Sequence, residues 1–444
     1  MTSGPLMPQI ITFAIPLALT GLLQLIYNAA DMMVVGRYAG STSLAAVGAT
    51  SMLVNLTVNL FIGLATGSGV VTAKYIGADD NEKVRRTVHT TMLLGAVSGI
   101  LVMSLGILLS PLFLKWMDTP SDIIDLSVTY LRIYFAGAPA NMIYNYGAAV
   151  LRASGDSKRP FYFLTASGLI NIGLNLLFVI KFNMDVAGVA YATIISQYIS
   201  ATCVVIALKE TNRPTRLSLK KLRIYKEVLT EIIRIGLPAG IQGCFFSISN
   251  VIIQSSINSF GSIAVAGNTA AANIDGIIYV CCNSISQSSM TFSSQNLGAR
   301  KYKRITKTFA DCILLVMIVS LVLCGVFYGF RKFFLGIFTT DSAVIKMGTI
   351  RLGIMAATYW LNSLMDVTTG QLRGIGKSVS PMIMTLAGVC VFRIIWIFTI
   401  FRSYHTMQML FYSYPVSWAI TEAALIITYF VERNKLLKKD AAQS

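Results

Sequence analysis

Uncharged apolar runs recur along the chain, at 91–114, 161–180, 186–208, 276–299 and 312–330 among others. Each is about as long as the roughly 20 residues a helix needs to cross a bilayer. Across all 444 residues such runs predict twelve helices, at 9–35, 44–73, 88–112, 126–151, 161–181, 187–208, 230–259, 263–297, 308–330, 344–371, 380–401 and 407–431. Against that background the polar positions stand out. In the first segment Gln24, Asn28 and Asp31 lie at i, i+4 and i+7, with Tyr27 among them, so a helix gathers them on one stripe. A carboxylate at membrane depth is costly unless it faces a wet or polar interior, which predicts a functional site. The alternative is that Asp31 only caps the helix end before the turn at Gly36 and Gly40.

The same i, i+4 spacing recurs at Asn55 and Asn59, Asn141 and Asn145, Asn171 and Asn175, and Thr193 and Gln197. Five polar stripes in one half of the chain predict a shared polar cavity. The competing explanation is hydrogen bonding between helices that only fixes packing.

Composition agrees with the pattern. The chain is 55% hydrophobic and 12% charged, against about 25% charged in a soluble domain, so it is read as an all-α polytopic membrane protein. Its +17 net charge invites a nucleic-acid partner, but the distribution of that charge opposes one. Of the 36 lysines and arginines, 26 fall in the loops after even-numbered helices and in the C-terminal tail, and nine elsewhere; Arg393 is counted as the one base inside a span. Such alternation is the positive-inside pattern and predicts cytoplasmic N- and C-termini in the cell membrane. No short apolar core with a small-residue cleavage site precedes the first helix, so the mature chain is expected to begin near Met1. The seven cysteines lie in or beside apolar spans without CxxC spacing and read as small core residues. His89 and His405 do not suggest a metal site.

The halves of the chain also match each other. Leu151-Arg-Ala-Ser-Gly-Asp-Ser-Lys-Arg-Pro160 aligns with Leu372-Arg-Gly-Ile-Gly-Lys-Ser-Val-Ser-Pro381 at an offset of 221. Asn141 and Asn145 reappear as Asn362 and Asp366, Pro16 and Asn28 as Pro238 and Asn250, and Gly77 as Gly298. Twelve helices thus divide into two six-helix lobes, expected at 1–208 and 230–431, with a basic cytoplasmic linker at 209–229 and a tail at 432–444. An even number of spans between copies makes the repeat parallel, the frame on which alternating access is commonly built.

At these residues the chain resembles the multidrug and toxin extrusion (MATE) family, within a wider group that includes flippases of lipid-linked oligosaccharides. The resemblance rests on the doubled LR-x-x-G-x-x-x-x-P, the helix-one carboxylate, Asn171-x-x-x-Asn175, and the run Val186-Ala-Gly-Val-Ala-Tyr-Ala-Thr193. It implies secondary export of cationic, amphiphilic compounds in exchange for inward H+ or Na+. It also implies a cation site at Asp31, Asn171, Asn175 and Thr193. Three positions depart from what the resemblance implies: Asn175 stands in place of an Asp, Phe246 where some members have a helix-seven Glu, and Asn362 where some have a helix-ten Asp, with Asp366 one turn later.

The residues themselves allow either ion. Oxygens of Asn171, Asn175 and Thr193 could join Asp31 around a bare Na+, since hard cations take oxygen ligands. Alternatively Asp31 takes up a proton, which a site with one carboxylate favours. In the second half the acids at membrane depth are Asp275, Asp366 and Glu422. Arg393 is expected either to pair with Asp366 or Glu422 or to meet substrate. Tyr27, Tyr144, Tyr146, Tyr279, Tyr359 and Trp360 could offer ring faces to a cation, though aromatics in membrane helices also pack or anchor. Candidate cavity residues are therefore Gln24, Tyr27, Asn28, Asn55, Asn141, Asn145, Gln197, Asn250, Asp275, Asn362 and Asp366.

No nucleophile with its base, metal cluster or Walker-type loop marks an enzyme, and no cofactor is expected. A channel, or a flippase of lipid-linked oligosaccharides or other lipids, remains the alternative; a flippase handling pyrophosphate would want several basic residues in its cavity. The expected partners are small organic cations and membrane lipids, with the chain acting as a monomer.

Overall fold

A computed structural model describes residues 1–117 and 119–441; of the expected tail at 432–444, the last three residues lie outside the described set. Described residues form α1 (Leu6–Val34), α2 (Ser41–Gly77), α3 (Asn81–Trp116), α4 (Ile124–Ala136), α5 (Ala138–Ala153), α6 (Lys158–Leu176) and α7 (Asp185–Glu210). After the linker come α8 (Lys226–Asn258), α9 (Ser262–Gly298), α10 (Tyr302–Gly329), α11 (Arg331–Gly336), α12 (Ser342–Gly374), α13 (Val379–Thr385), α14 (Phe392–Trp396) and α15 (Met407–Ala441). π-Helical turns extend α1 to Ala39 and α6 to Lys181, and carry α13 and α14 on as one segment to Phe401.

With α4 and α5 counted as one interrupted segment and the short α11 set aside, twelve long helical segments stand where the apolar runs predict them. Ten of these are long and apolar enough by composition to cross a membrane. The other two are instructive. α4 and α5 part at Gly137, and Pro139 in the first turn of α5 suits a helix start, where its missing N–H is no loss. α12 is continuous but carries Arg351, Asn362, Asp366 and Arg373 within one helix.

The internal repeat is written in the backbone. Positive φ angles occur at Gly40 and Gly261 (92° and 85°), at Asp79 and Arg300 (55° each), and at Gly155 and Gly376 (89° and 81°), three pairs each 221 apart. The last pair is the glycine of the doubled motif. After α5, Gly155 N donates to Arg152 O at 2.9 Å and Asp156 N to Leu151 O at 3.0 Å. After α12, Gly376 N donates to Arg373 O at 2.9 Å and Lys377 N to Leu372 O at 2.8 Å. Both are glycine-terminated helix ends, and glycine occupies the left-handed position that a Cβ would strain.

Two compact units form, one of Met1–Ala18 with Ile241–Ser444 and one of Leu19–Gly240. Their boundaries fall inside helices, two residues past Pro16 in α1 and two past Pro238 in α8. Each proline withdraws one backbone donor from its helix. The first half of α1 packs Ile10, Phe13 and Leu17 into the core that contains Ile274 and Phe292, with the Phe13 and Phe292 rings edge to face at 5.8 Å. The first half of α8 packs on α2 through glycines. A Cβ on Gly63 would lie 2.1 Å from Gly240 N, and one on Gly67 2.5 Å from Ile232 O. Gly63 and Gly67 thus mesh with Gly236 and Gly240, two small-xxx-small pairs that let the backbones touch.

Candidate functional site

In the unit of Leu19–Gly240, α1 and α6 meet along one face of each. The Tyr27 ring packs against Gly168, where an added Cβ would come within 1.9 Å of it, and the Tyr27 hydroxyl donates to Thr165 O at 3.2 Å. One turn further along α1 stands Asp31, and two turns past Gly168 stands Asn175. Asn175 Nδ2 donates to Asp31 Oδ1 at 2.5 Å and to Asn171 Oδ1 at 3.3 Å. Glycine at 168 is what brings the helices close enough for the short asparagine to reach the carboxylate. Asn175 is fully buried and Asn171 nearly so, whereas Asp31 is half-buried.

The electrostatics of this cluster are one-sided. Among the described residues no basic side chain pairs with Asp31, and its hydrogen-bond donor there is a neutral amide. Asn175 Oδ1, buried, receives no hydrogen bond among the described residues. A buried acceptor without a donor is costly, on the order of 1–3 kcal/mol. The cluster therefore offers a carboxylate and amide oxygens and withholds positive charge, which is a setting for a small cation or a proton. Tyr130 and Tyr134 of α4, stacked at 6.0 Å and 24°, stand within electrostatic reach of Asp31. In the sequence the pair is marked only by its i, i+4 spacing on one helix face.

The other expected residues distribute unevenly. Thr193 Oγ1 donates to Val189 O in its own helix, a bond that adds nothing to Asp31. Asn145 Nδ2 donates to Asn141 Oδ1 at 2.7 Å, so these two engage each other along α5. Gln197 Oε1 is buried without a donor among the described residues. Gln24, Asn28, Asn55 and Asn250 are exposed, and Asn362 is half-buried. Tyr144 and Tyr146 are buried, the former donating to Pro160 O at 3.1 Å. Tyr359 packs on Trp418, and Tyr279 stays exposed.

The unit of Met1–Ala18 and Ile241–Ser444 corrects the charge inventory. Arg393 is not the one base inside a span: Arg351 lies within α12, where Nε meets Asp275 Oδ2 at 2.9 Å and Nη1 meets Asn268 Oδ1 at 2.5 Å. Arg351 and Lys346 both sit inside the 344–371 run, and Arg132 inside 126–151. Asp275 is thereby neutralised in place. Arg393, expected beside Asp366 or Glu422, instead donates from Nε to Ser417 Oγ at 2.9 Å and lies 4.0 Å from the centroid of the Tyr414 ring. Planar guanidinium on an aromatic face satisfies the charge without a carboxylate. Glu422 Oε1 accepts from Thr368 at 2.8 Å, while Glu422 Oε2 and Asp366 Oδ2 are buried without a donor among the described residues.

Two segments of the chain, 16–177 and 238–399, match the MatE family model, and their ends are displaced by 222 residues, the spacing of the repeat. The chain belongs to the MatE family. It is a MATE transporter and a multi-pass membrane protein rather than an enzyme. It is 27% identical to "Probable multidrug resistance protein YoeA" of Bacillus subtilis (strain 168), over 94% of this chain and 92% of that one. It is 22% identical to "Multidrug export protein MepA" of Staphylococcus aureus (strain NCTC 8325 / PS 47), over 98% and 95%. In fold it matches an outward-facing structure of a multidrug resistance MATE transporter with a TM-score of 0.92 over 98% of this chain and 97% of the other, at 22% identity.

Proposed function

We propose that this MATE transporter is a secondary antiporter of the cell membrane that exports cationic, amphiphilic drugs or toxins by alternating access, driven by inward movement of H+ through Asp31. The observation that carries the reading is the Asp31–Asn175–Asn171 cluster, a carboxylate within a span whose neighbours are neutral amides. A coupling ion needs a group that can be charged or neutral at membrane depth, and a carboxylate held by an amide rather than by an arginine can be either. One carboxylate supports one proton; a bare Na+ held by Asp31 with the oxygens of Asn171 and Asn175 is the other form of the same site. The relatives' names, which speak of multidrug resistance and export, support the substrate class.

Flippase chemistry is disfavoured by how the internal bases are used. Arg351 is engaged by Asp275 and Asn268, and Arg393 by Ser417 and Tyr414, which leaves neither as a spare cation for a pyrophosphate. The proposed topology keeps both termini in the cytoplasm. Purified protein in liposomes, loaded with a fluorescent organic cation and given a pH gradient or a Na+ gradient in turn, tests the proposal: transport driven by the pH gradient supports H+ coupling, and transport driven only by Na+ replaces it.

A further inference from the structure

Away from the Asp31 cluster, the unit of Leu19–Gly240 holds a concavity of about 790 Å³, walled by the start of α3, the end of α7 and the linker that follows. Six of the side chains lining it are basic: Arg85, Lys209, Arg213, Arg216, Lys220 and Lys221. No acidic side chain lines it, and among the described residues none of the six joins an ion pair. Asp80 and Glu82, which flank the lining Asn81, pair with Lys83 and Arg86, and Glu210, next to the lining Lys209, is not itself among the lining residues.

Positive-inside topology accounts for basic residues on this side of the molecule, but not for their collection into a built hollow. The linker is pinned into shape. Leu217 N donates to Leu208 O at 2.8 Å, and Leu217 and Thr215 are buried. His89, also buried, donates from Nδ1 to Arg85 O at 2.7 Å and accepts at Nε2 from Ser218 N at 3.2 Å. This neutral tautomer ties the linker to α3. Arg216 is held through Nε on Lys209 O at 3.2 Å, and Arg213 through Nη1 on Ser154 O at 3.4 Å. Bringing six like charges to one cleft is unfavourable without a counter-ion, and such a cleft focuses its field on an anion. Arginine forks beside lysine point charges suit phosphate oxygens.

We propose that this pocket binds a phosphate-bearing anion, supplied either as the headgroup of an anionic phospholipid in the adjoining leaflet or as a soluble polyphosphate. The proposal is independent of the ion and substrate assigned above.

The full-length protein, purified in detergent, separates the two sources. Retention of dioleoyl phosphatidylglycerol against dioleoyl phosphatidylcholine is read by native mass spectrometry, and binding of inorganic triphosphate by titration calorimetry. The test variant is Arg213→Gln with Arg216→Gln and Lys220→Gln. Its charge-matched control is Arg300→Asn with Lys303→Gln and Lys307→Gln, asparagine being chosen because Arg300 has a positive φ. Arg216→Glu alone serves as a second, milder variant at an exposed site. We expect at least one probe to bind the wild type, the triple variant and Arg216→Glu to weaken it by about tenfold or more, and the control to stay within about twofold. Binding of the lipid alone assigns a headgroup site, and binding of triphosphate alone a polyphosphate site. Absence of binding by both probes, or equal losses in the control, would overturn the proposal and leave the basicity as a record of topology.

Discussion

Asn175 and Asp31, 144 residues apart in sequence, meet at 2.5 Å, with the amide donating to the carboxylate. The contact closes a face that Tyr27 and Gly168 open one to two turns earlier, so the two helices hold each other at both points. Removing the amide should loosen the carboxylate without removing its charge. Asn175→Ala is therefore expected to fold and to export, with the rate at a fixed gradient lowered by roughly tenfold, the scale of one lost charge-assisted hydrogen bond. Efflux of a fluorescent cation at matched membrane expression checks it. A wild-type rate would detach Asn175 from the mechanism.

Gly168 has room for no side chain. An alanine there would place Cβ within 1.9 Å of the Tyr27 ring, and overpacking of this kind costs about 1–3 kcal/mol. Gly168→Ala is predicted to lower thermal stability and export together, and Gly168→Ala with Tyr27→Ala to regain stability but not full export. Thermal unfolding followed by tryptophan fluorescence separates the cases; a stable, active Gly168→Ala would contradict the helix contact.

The Arg351 and Asp275 pair is a structural claim of a different kind. Breaking a buried pair by removing one partner strands the other charge and costs about 3–5 kcal/mol, whereas neutralising both can restore most of the loss. Arg351→Gln should thus unfold at a much lower temperature than wild type, and Arg351→Gln with Asp275→Asn should recover. If the double variant is no better than the single, Asp275 is not there to balance Arg351.

Much of this was legible in the chain itself. Twelve apolar runs and their doubling are strong signals because each span must satisfy its own backbone and the repeat doubles every turn; even the left-handed Gly155 and Gly376 sit in the repeated motif. The Asn171 and Asn175 stripe pointed at Asp31 through spacing and family likeness. Other features had no such marker. Pro16 and Pro238 read as possible kinks, while the fact that α1 and α8 change packing partners two residues later depends on long-range contacts. Arg351 lies near the start of its apolar run and has its partner 76 residues away, and Tyr130 with Tyr134 resembles ordinary aromatic packing, so spacing marks neither. Exposed Gln24, Asn28 and Asn55 share a period with buried residues, and periodicity alone does not say which stripe faces a neighbour.

Topology can be read directly by single cysteines in a background freed of the seven native ones. Thr215 is buried and would label poorly, so Lys220, which is exposed, is the better reporter for the linker, with His405 for the opposite side. In intact cells an impermeant maleimide is expected to modify Cys introduced by His405→Cys and to spare Lys220→Cys. The reverse pattern would invert the proposed orientation of both termini.

The central claim is that Asp31 carries the coupling charge. A one-unit pH gradient supplies about 1.4 kcal/mol per proton, and each 100 mV of potential about 2.3 kcal/mol per charge; a chain without a titratable coupling group can use neither. Asp31→Asn preserves shape and hydrogen bonding, so it should insert and fold. The measurement is concentrative export of a fluorescent cation from proteoliposomes under an imposed pH gradient, wild type beside Asp31→Asn. We predict uphill transport by the wild type and, in the variant, relaxation to equal concentrations at most. Uphill transport by Asp31→Asn at the wild-type ratio would contradict the account and direct the search to Asp366 and Glu422.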